Sequence, residues 1–169
     1  MQELQRKRCI EYAEHISELC DISVSVLDVQ QKQFIYNSRP NLCRECKFEK
    51  CSGVNTHLYG SNEAYRWNGQ YIYYCPLGLV YASASVVDES GRLEAGLIAG
   101  PMIVGDPQDT LSELPEPSMA EVVSSLPVET TAYVRHLAAI LSASAAYVVG
   151  LPNSRAMGFV YEQEKILNS

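Results

Sequence analysis

Apolar and small residues recur at helical spacing in the first twenty positions, at Cys9, Ala13, Ile16 and Cys20. This narrow stripe predicts a helix over residues 1–20, with Asp21 placed to end it. The period then changes to two. ISVSVLDV, residues 22–29, alternates and is rich in β-branched side chains, so it predicts a strand; 30–33 turn and 34–36 return. Arg39-Pro40 and Asn41 break the pattern and open a loop over 37–50. Ser52 is placed to cap a helix that reaches about Trp67, where Asn68-Gly69 stops it.

Alternation resumes at 70–75, is interrupted by Pro76-Leu77-Gly78, and continues through 79–87. Asp88-Glu89-Ser90-Gly91 reads as a turn and 93–104 as the partner strand. With Asp88 facing Gly91, Ser85 pairs with Glu94, Ser83 with Gly96 and Tyr81 with Ile98. One face then carries Val80, Ala82, Ala84 and Val86 against Leu93, Ala95, Leu97 and Ala99. It is wholly apolar and must be covered. The other face carries Tyr81, Ser83, Ser85, Gly96 and Gly100, and leaves room for a ligand or a closely packed helix. A slip of one residue would exchange the two faces. Residues 105–117 form a loop rich in Pro and acid, 118–125 a short helix capped by Ser118, 129–150 a longer helix with small residues, and 152–169 a further helix of mixed polarity.

This order predicts an α+β fold with a single central antiparallel sheet of about five strands flanked by helices. The domain plan is an N-terminal helix (1–20), a core (21–150) and a C-terminal helix (151–169) that leads to a linker or an output domain. No internal repeat or low-complexity tract appears.

Composition narrows the functional classes. The 169 residues are 47% hydrophobic and 20% charged, enough for one buried core. A net charge of -7 argues against a nucleic-acid surface on this chain, because phosphate binding needs a basic face. The first residues lack the apolar segment of a signal peptide, and the most apolar run, 137–150, is too short to span a bilayer. The expected location is therefore cytoplasmic and away from the membrane, where thiols stay reduced. Six cysteines then suggest metal binding, redox chemistry or plain burial before disulfides. Eleven tyrosines against three phenylalanines suit pockets and interfaces, since tyrosine joins apolar area to one hydrogen-bonding tip.

Four of those cysteines fall in one stretch. Cys43, Cys46 and Cys51 are spaced C-x2-C-x4-C, and Cys75 follows the aromatic run Tyr71-Ile72-Tyr73-Tyr74. Thiolates converging from two segments could hold zinc or an iron–sulfur cluster, although no second Cys-x-x-Cys accompanies Cys75. The same thiols could instead be the reduced lining of a pocket, with Tyr73 and Cys75 on one strand face and Tyr74 on the other. Cys51, at a predicted helix start, has the setting that lowers a thiol pKa, which leaves a peroxidatic role open to it. His57 could replace one thiol as a ligand, but reads more simply as a partly exposed helix residue. His15 and His136 read as surface groups, Gly96 and Gly100 as packing glycines, and Asp88, Glu89 and Glu94 as solvated groups around a turn. No Ser/His/Asp order and no H-E-x-x-H occurs, so the chain is not expected to be an enzyme.

The stretch 42–101 resembles the PocR sensory-domain family, a PAS-like module of bacterial regulators. The residues that carry the resemblance are Leu42-Cys43 after the first hairpin and Cys51 at a helix start, then Tyr73-Tyr74-Cys75-Pro76-Leu77-Gly78-Leu79 and the Gly-Leu-Ile-Ala-Gly-Pro run at 96–101. Two departures stand out: Pro76 where the family often has His, and Cys46 as an added thiol. The resemblance implies signal transduction and transcription regulation through sensing of small organic compounds, 1,2-propanediol being the named case. It also implies an output domain outside this chain, either an AraC-type helix-turn-helix or a histidine kinase. The ligand would lie between the sheet and the 52–67 helix, against Cys43, Cys51, Tyr73, Cys75, Tyr81 and Ser83. A homodimer through residues 1–20 and the last helix is plausible on the same layout. In the alternative, Cys43, Cys46, Cys51 and Cys75 form a metal- or redox-sensing cluster carrying zinc or iron–sulfur.

Overall fold

The long alternating segments become the centre of one antiparallel sheet. In the computed structural model, which describes residues 1–40, 46 and 48–149, the chain begins with helix α1 (Glu3–Cys20) and the hairpin β1 (Val24–Asp28) and β2 (Gln33–Asn37). Helix α2 (Val54–Arg66) leads to β3 (Gln70–Tyr74), β4 (Val80–Val87) and β5 (Leu93–Val104). Short helix α3 (Pro107–Ser112), a 3-10 turn (Pro117–Met119), α4 (Ala120–Ser124), a two-residue strand β6 (Val128–Glu129) and the long helix α5 (Thr131–Val148) complete the described chain. The sheet order is β2-β1-β5-β4-β3, with β6 added parallel to β5. The α+β architecture expected from the pattern is the one observed. The helix expected over 152–169 lies outside the described residues.

Face assignment follows the alternation. Val80, Ala82, Ala84, Val86, Ala95, Leu97 and Ala99 form one core. It is covered by Cys9, Ala13 and Ile16 of α1 and by Val134, Leu137, Ala138, Leu141 and Ala145 of α5. The register differs from expectation by two residues: Ser85 pairs with Gly96 and Ser83 with Ile98. The cause is the turn. Asp88 Oδ1 accepts from the N–H groups of Ser90 (2.8 Å) and Arg92 (2.9 Å), and the Asp88 N–H donates to the Arg92 carbonyl at 2.8 Å. Asp88 therefore faces Arg92 rather than Gly91. An irregularity between Val86 and Val87 adds the second residue. Because side chains alternate with period two, an even slip leaves every residue on its expected face. Glu94, expected to be solvated, is instead only 3% exposed; its carboxylate accepts from Arg92 at 2.7 Å and pairs with the Met1 amine at 2.9 Å.

Several local starts differ from the sequence reading. Ser52 does not cap α2: the cap is Gly53 at φ 60°, and Ser52 Oγ lies 3.0 Å from Thr56 Oγ1. Cys51 thus sits three residues before the first helical residue, Val54. The acid-rich segment after Gly105 is not all loop, because Asp106 caps α3 by accepting from the Gln108 N–H at 2.9 Å. Ser118 lies within the 3-10 turn and caps nothing. Thr130 caps α5 through Tyr133 N–H at 3.1 Å.

The second sheet face is covered by α2. Its buried residues are His57, Gly60, Ser61 and Ala64, spaced i, i+3, i+4 and i+7. Two glycines set how near it lies. A methyl group on Gly60 would overlap the Tyr73 ring, and one on Gly96 would overlap the Ser61 side chain. Gly60→Ala weighs helix propensity, worth about 1 kcal/mol in favour of alanine, against overpacking, which costs about 1–3 kcal/mol. The Tyr73 ring is buried and bonded to His57, so it has nowhere to retreat. Gly60→Ala should therefore lower stability by about 1–2 kcal/mol net, read as a reduced urea midpoint at unchanged m-value. A gain in stability would show that α2 can lift freely from the sheet.

Candidate functional site

A tight turn brings the end of β3 towards the N-terminus of α2. The Gly78 N–H donates to the Cys75 carbonyl and the Cys75 N–H to the Leu79 carbonyl, both at 2.9 Å, with Gly78 at φ 77°. On the facing side, the Cys51 N–H donates to the Phe48 carbonyl at 2.9 Å, and the Gly53 N–H donates to Cys51 Sγ at 3.4 Å. Between these turns lies a cavity lined by Cys46, Cys51, Gly53, His57, Cys75, Pro76, Leu77, Leu79 and Tyr81. Its volume is about 20 Å³, enough for about one water molecule.

His57 forms the inner wall. It is 2% exposed, contrary to the partly exposed position expected for it. Its Nδ1 lies 2.8 Å from the Tyr73 hydroxyl. Phe34 and Tyr81 meet its ring edge-on, with centroids at 5.4 and 4.7 Å, and Tyr81 stacks on Tyr73 at 5.6 Å. Burial pushes the imidazole pKa down to about 4, so His57 is neutral at physiological pH. Burial also pushes the Cys75 thiol up, opposed by the N–H groups of Leu77 and Leu79; the nearby Cys51 and Cys46 thiols raise it further. Among the described residues, the lining contains no Asp, Glu, Lys or Arg, and its one titratable base, His57, is neutral. The arrangement suits an uncharged guest, since a buried ion needs a counter-charge.

The expected site residues divide. Cys51, Cys75 and Tyr81 line the cavity together with Cys46. Tyr73 stands behind His57 and holds it. Ser83 is fully buried beneath α2, its Oγ 3.5 Å from Ser61 Oγ, and does not line the cavity. Cys43 lies outside the described residues. Among the described residues, no three His, Cys, Asp or Glu side chains form a group that could hold a metal ion. The residue that sequence reasoning undervalued is His57. Its signal was the spacing of His57, Ser61 and Ala64 on the helix facing an aromatic strand.

Comparison with known proteins places this geometry. The family model for the sensory domain found in PocR matches residues 4–152. The chain belongs to the PocR sensory-domain family. Among solved structures, this PocR-family domain is similar to a domain of a protein described as an IclR-family transcriptional regulator, with a TM-score of 0.50 at 11% identity, covering 86% of this chain and 95% of that one. At that identity the likeness speaks for the fold alone. None of the curated proteins matches the chain. No helix among the described residues is long and apolar enough to cross a membrane.

The buried imidazole of this PocR-family domain makes stability depend on pH. His57 binds its proton less readily folded (about 4) than unfolded (6.5). Its contribution is therefore complete above pH 6.5 and is lost progressively as pH falls from there through about 4. The loss should total about 2–4 kcal/mol. His57→Gln, which keeps a polar group near Tyr73 but cannot titrate, should flatten the fall in melting temperature between pH 7 and 4. An unchanged slope in the variant would show that other groups carry the acid sensitivity.

Proposed function

We propose that this sensory domain binds a small, uncharged organic molecule in the cavity between the sheet and α2, and that binding is passed to an output domain of a regulator. One observation carries the reading: a recessed space walled by Tyr81, Leu77, Leu79, three thiols and a neutral His57, with no charged side chain among its described lining residues. Such pockets are typically apolar with a few placed polar groups.

The cavity holds about one water, so a larger guest must move one of its walls. The apolar wall behind the sheet is close-packed and resists. The turn at Cys51–Gly53 and the start of α2 are the parts that can give. A guest that favours the displaced arrangement shifts the population towards it. On the opposite sheet face, α1 and α5 are joined by the Tyr12–Tyr147 ring contact at 5.3 Å and by the Tyr133 hydroxyl donating to the Cys20 carbonyl at 3.1 Å. Those two helices are the proposed route to the output domain, a helix-turn-helix or a kinase, and the proposed dimer surface.

A panel of small alcohols, diols, aldehydes, acids and amines tests the reading by thermal melting. A guest at a hundredfold excess over Kd should add about 2.7 kcal/mol, a rise of roughly 5–10 °C for a chain of this length. Neutral compounds should give the shift and charged ones should not. Leu77→Phe, which fills the cavity, should abolish the shift while leaving the unliganded protein folded. A flat response across the panel would count against the pocket. Zinc or iron recovered in stoichiometric amount with the purified chain, and lost in Cys46→Ser, would move the reading to the metal- or redox-sensing alternative.

A further inference from the structure

The thiols make this cavity more selective than its apolar walls alone would. Cys46, Cys51 and Cys75 border a space of about 20 Å³, and an imidazole stands beside them. A guest on this scale has only a few atoms, and non-covalent contacts hold so few atoms only at about millimolar affinity. A reversible covalent bond removes that limit. The lining already contains the nucleophile for one, so the substrate class follows from what a thiol can add to without a further reagent. A disulfide would require an external oxidant, and the described residues form no metal-holding group.

We propose that the cavity captures a one- or two-carbon aldehyde as a hemithioacetal on Cys51, an inference that rests on the pocket reading above. Cys51 Sγ attacks the carbonyl carbon and a C–S bond forms. The π electrons of the carbonyl move to its oxygen, and the thiol proton ends on that oxygen. Nothing leaves and nothing is oxidised, so the reverse step releases the aldehyde intact.

Three features single out Cys51 and the aldehyde. The Gly53 N–H donates to Cys51 Sγ at 3.4 Å, just ahead of the first turn of α2, and so holds that sulfur in place at the border of the cavity. Cys75 is the poorer attacker: burial raises its pKa and keeps it protonated, as a partner. His57 is neutral, bordering the same space, and can take and return a proton during addition. Acids and amines are disfavoured because the described lining residues offer no counter-charge. Alcohols lack an electrophilic carbon.

Acetaldehyde and ethanol, at matched concentration, test this on the full chain. Native mass spectrometry and melting curves are taken for the wild type, Cys51→Ser and Cys51→Ala. The expected result is a single reversible acetaldehyde adduct on the wild type, absent from both variants, with a melting shift at least tenfold more sensitive to acetaldehyde than to ethanol. Carbon-13 acetaldehyde on the wild type gives a second readout that needs no variant: a new hemithioacetal carbon signal, distinct from the free aldehyde and its hydrate. Equal shifts from both compounds without an adduct would overturn the covalent step and leave the pocket reading standing. An adduct that persists in both variants, or no response to acetaldehyde while other neutral compounds bind, would overturn it as well. Stoichiometric metal on the thiols would overturn both readings together.

Discussion

The close approach of α2 to the sheet governs everything on that side of the molecule. The Tyr73 ring occupies the space that a side chain at position 60 would need, and the Ser61 side chain occupies the space above Gly96. Glycine at these two points lets a helix carrying His57 lie nearly flat against an aromatic strand. Once the backbone is that near, the imidazole cannot reach solvent. A buried polar ring without a partner would cost several kcal/mol, and the Tyr73 hydroxyl at 2.8 Å offsets that cost. The neutrality of His57 follows from that approach, and the Tyr73 ring that holds it is stacked on Tyr81, its partner across β3 and β4.

The two sheet faces divide the work physically. The face under α1 and α5 is built mainly from Val, Ala, Leu and Ile, with Cys9 and Met102, and α1 adds only the buried polar side chains Gln5 and Ser17. It has one good packing arrangement and a large penalty for leaving it. The face under α2 mixes Tyr73, Tyr81, Leu77, Leu79 and half-buried thiols, with a gap of water size between two turns. Its polar tips can exchange partners without exposing a large apolar area. A sensing domain needs one rigid face to transmit force and one that can rearrange at modest cost, and the sheet supplies both through the alternation of a single pair of strands.

That alternation is why so much of the fold was legible. β4 and β5 announce their faces residue by residue, and the assignment survived a register error because the error was even. The place of the turn was legible but its length was not: that depends on the Asp88 carboxylate binding two backbone N–H groups, which hydrophobic patterning does not register. β6 has two residues and no period to detect. At the site, the thiol spacing singled out a stretch from which Cys46, Cys51 and Cys75 border one cavity. It overstated Ser83, which shares a strand face with Tyr81 but lies beneath Ser61. It understated His57, because glycine at position 60 looks like a weak point in a helix rather than the reason the helix can press inward.

The position of the cavity also bears on how a signal could leave it. Its walls come from the start of α2, the turn after β3 and the first residues of β4, so a guest touches two stretches that are apart in sequence, one around Cys51 and His57 and the other from Cys75 to Tyr81. Two of those walls are turns, one held by a backbone hydrogen bond at Cys51 and the other by two at Cys75. The third is anchored, since Val80 and Ala82 of β4 reach through to the core shared with α5. Displacing a turn costs little and by itself carries nothing onward. Displacing Tyr81 is different: its neighbours Val80 and Ala82 face the opposite core, so any rotation of β4 at that point is felt by the helices behind. Tyr81 is thus the lining residue best placed to couple occupancy to the rest of the fold, and its contact with His57 at 4.7 Å joins it to the helix that a guest would lift.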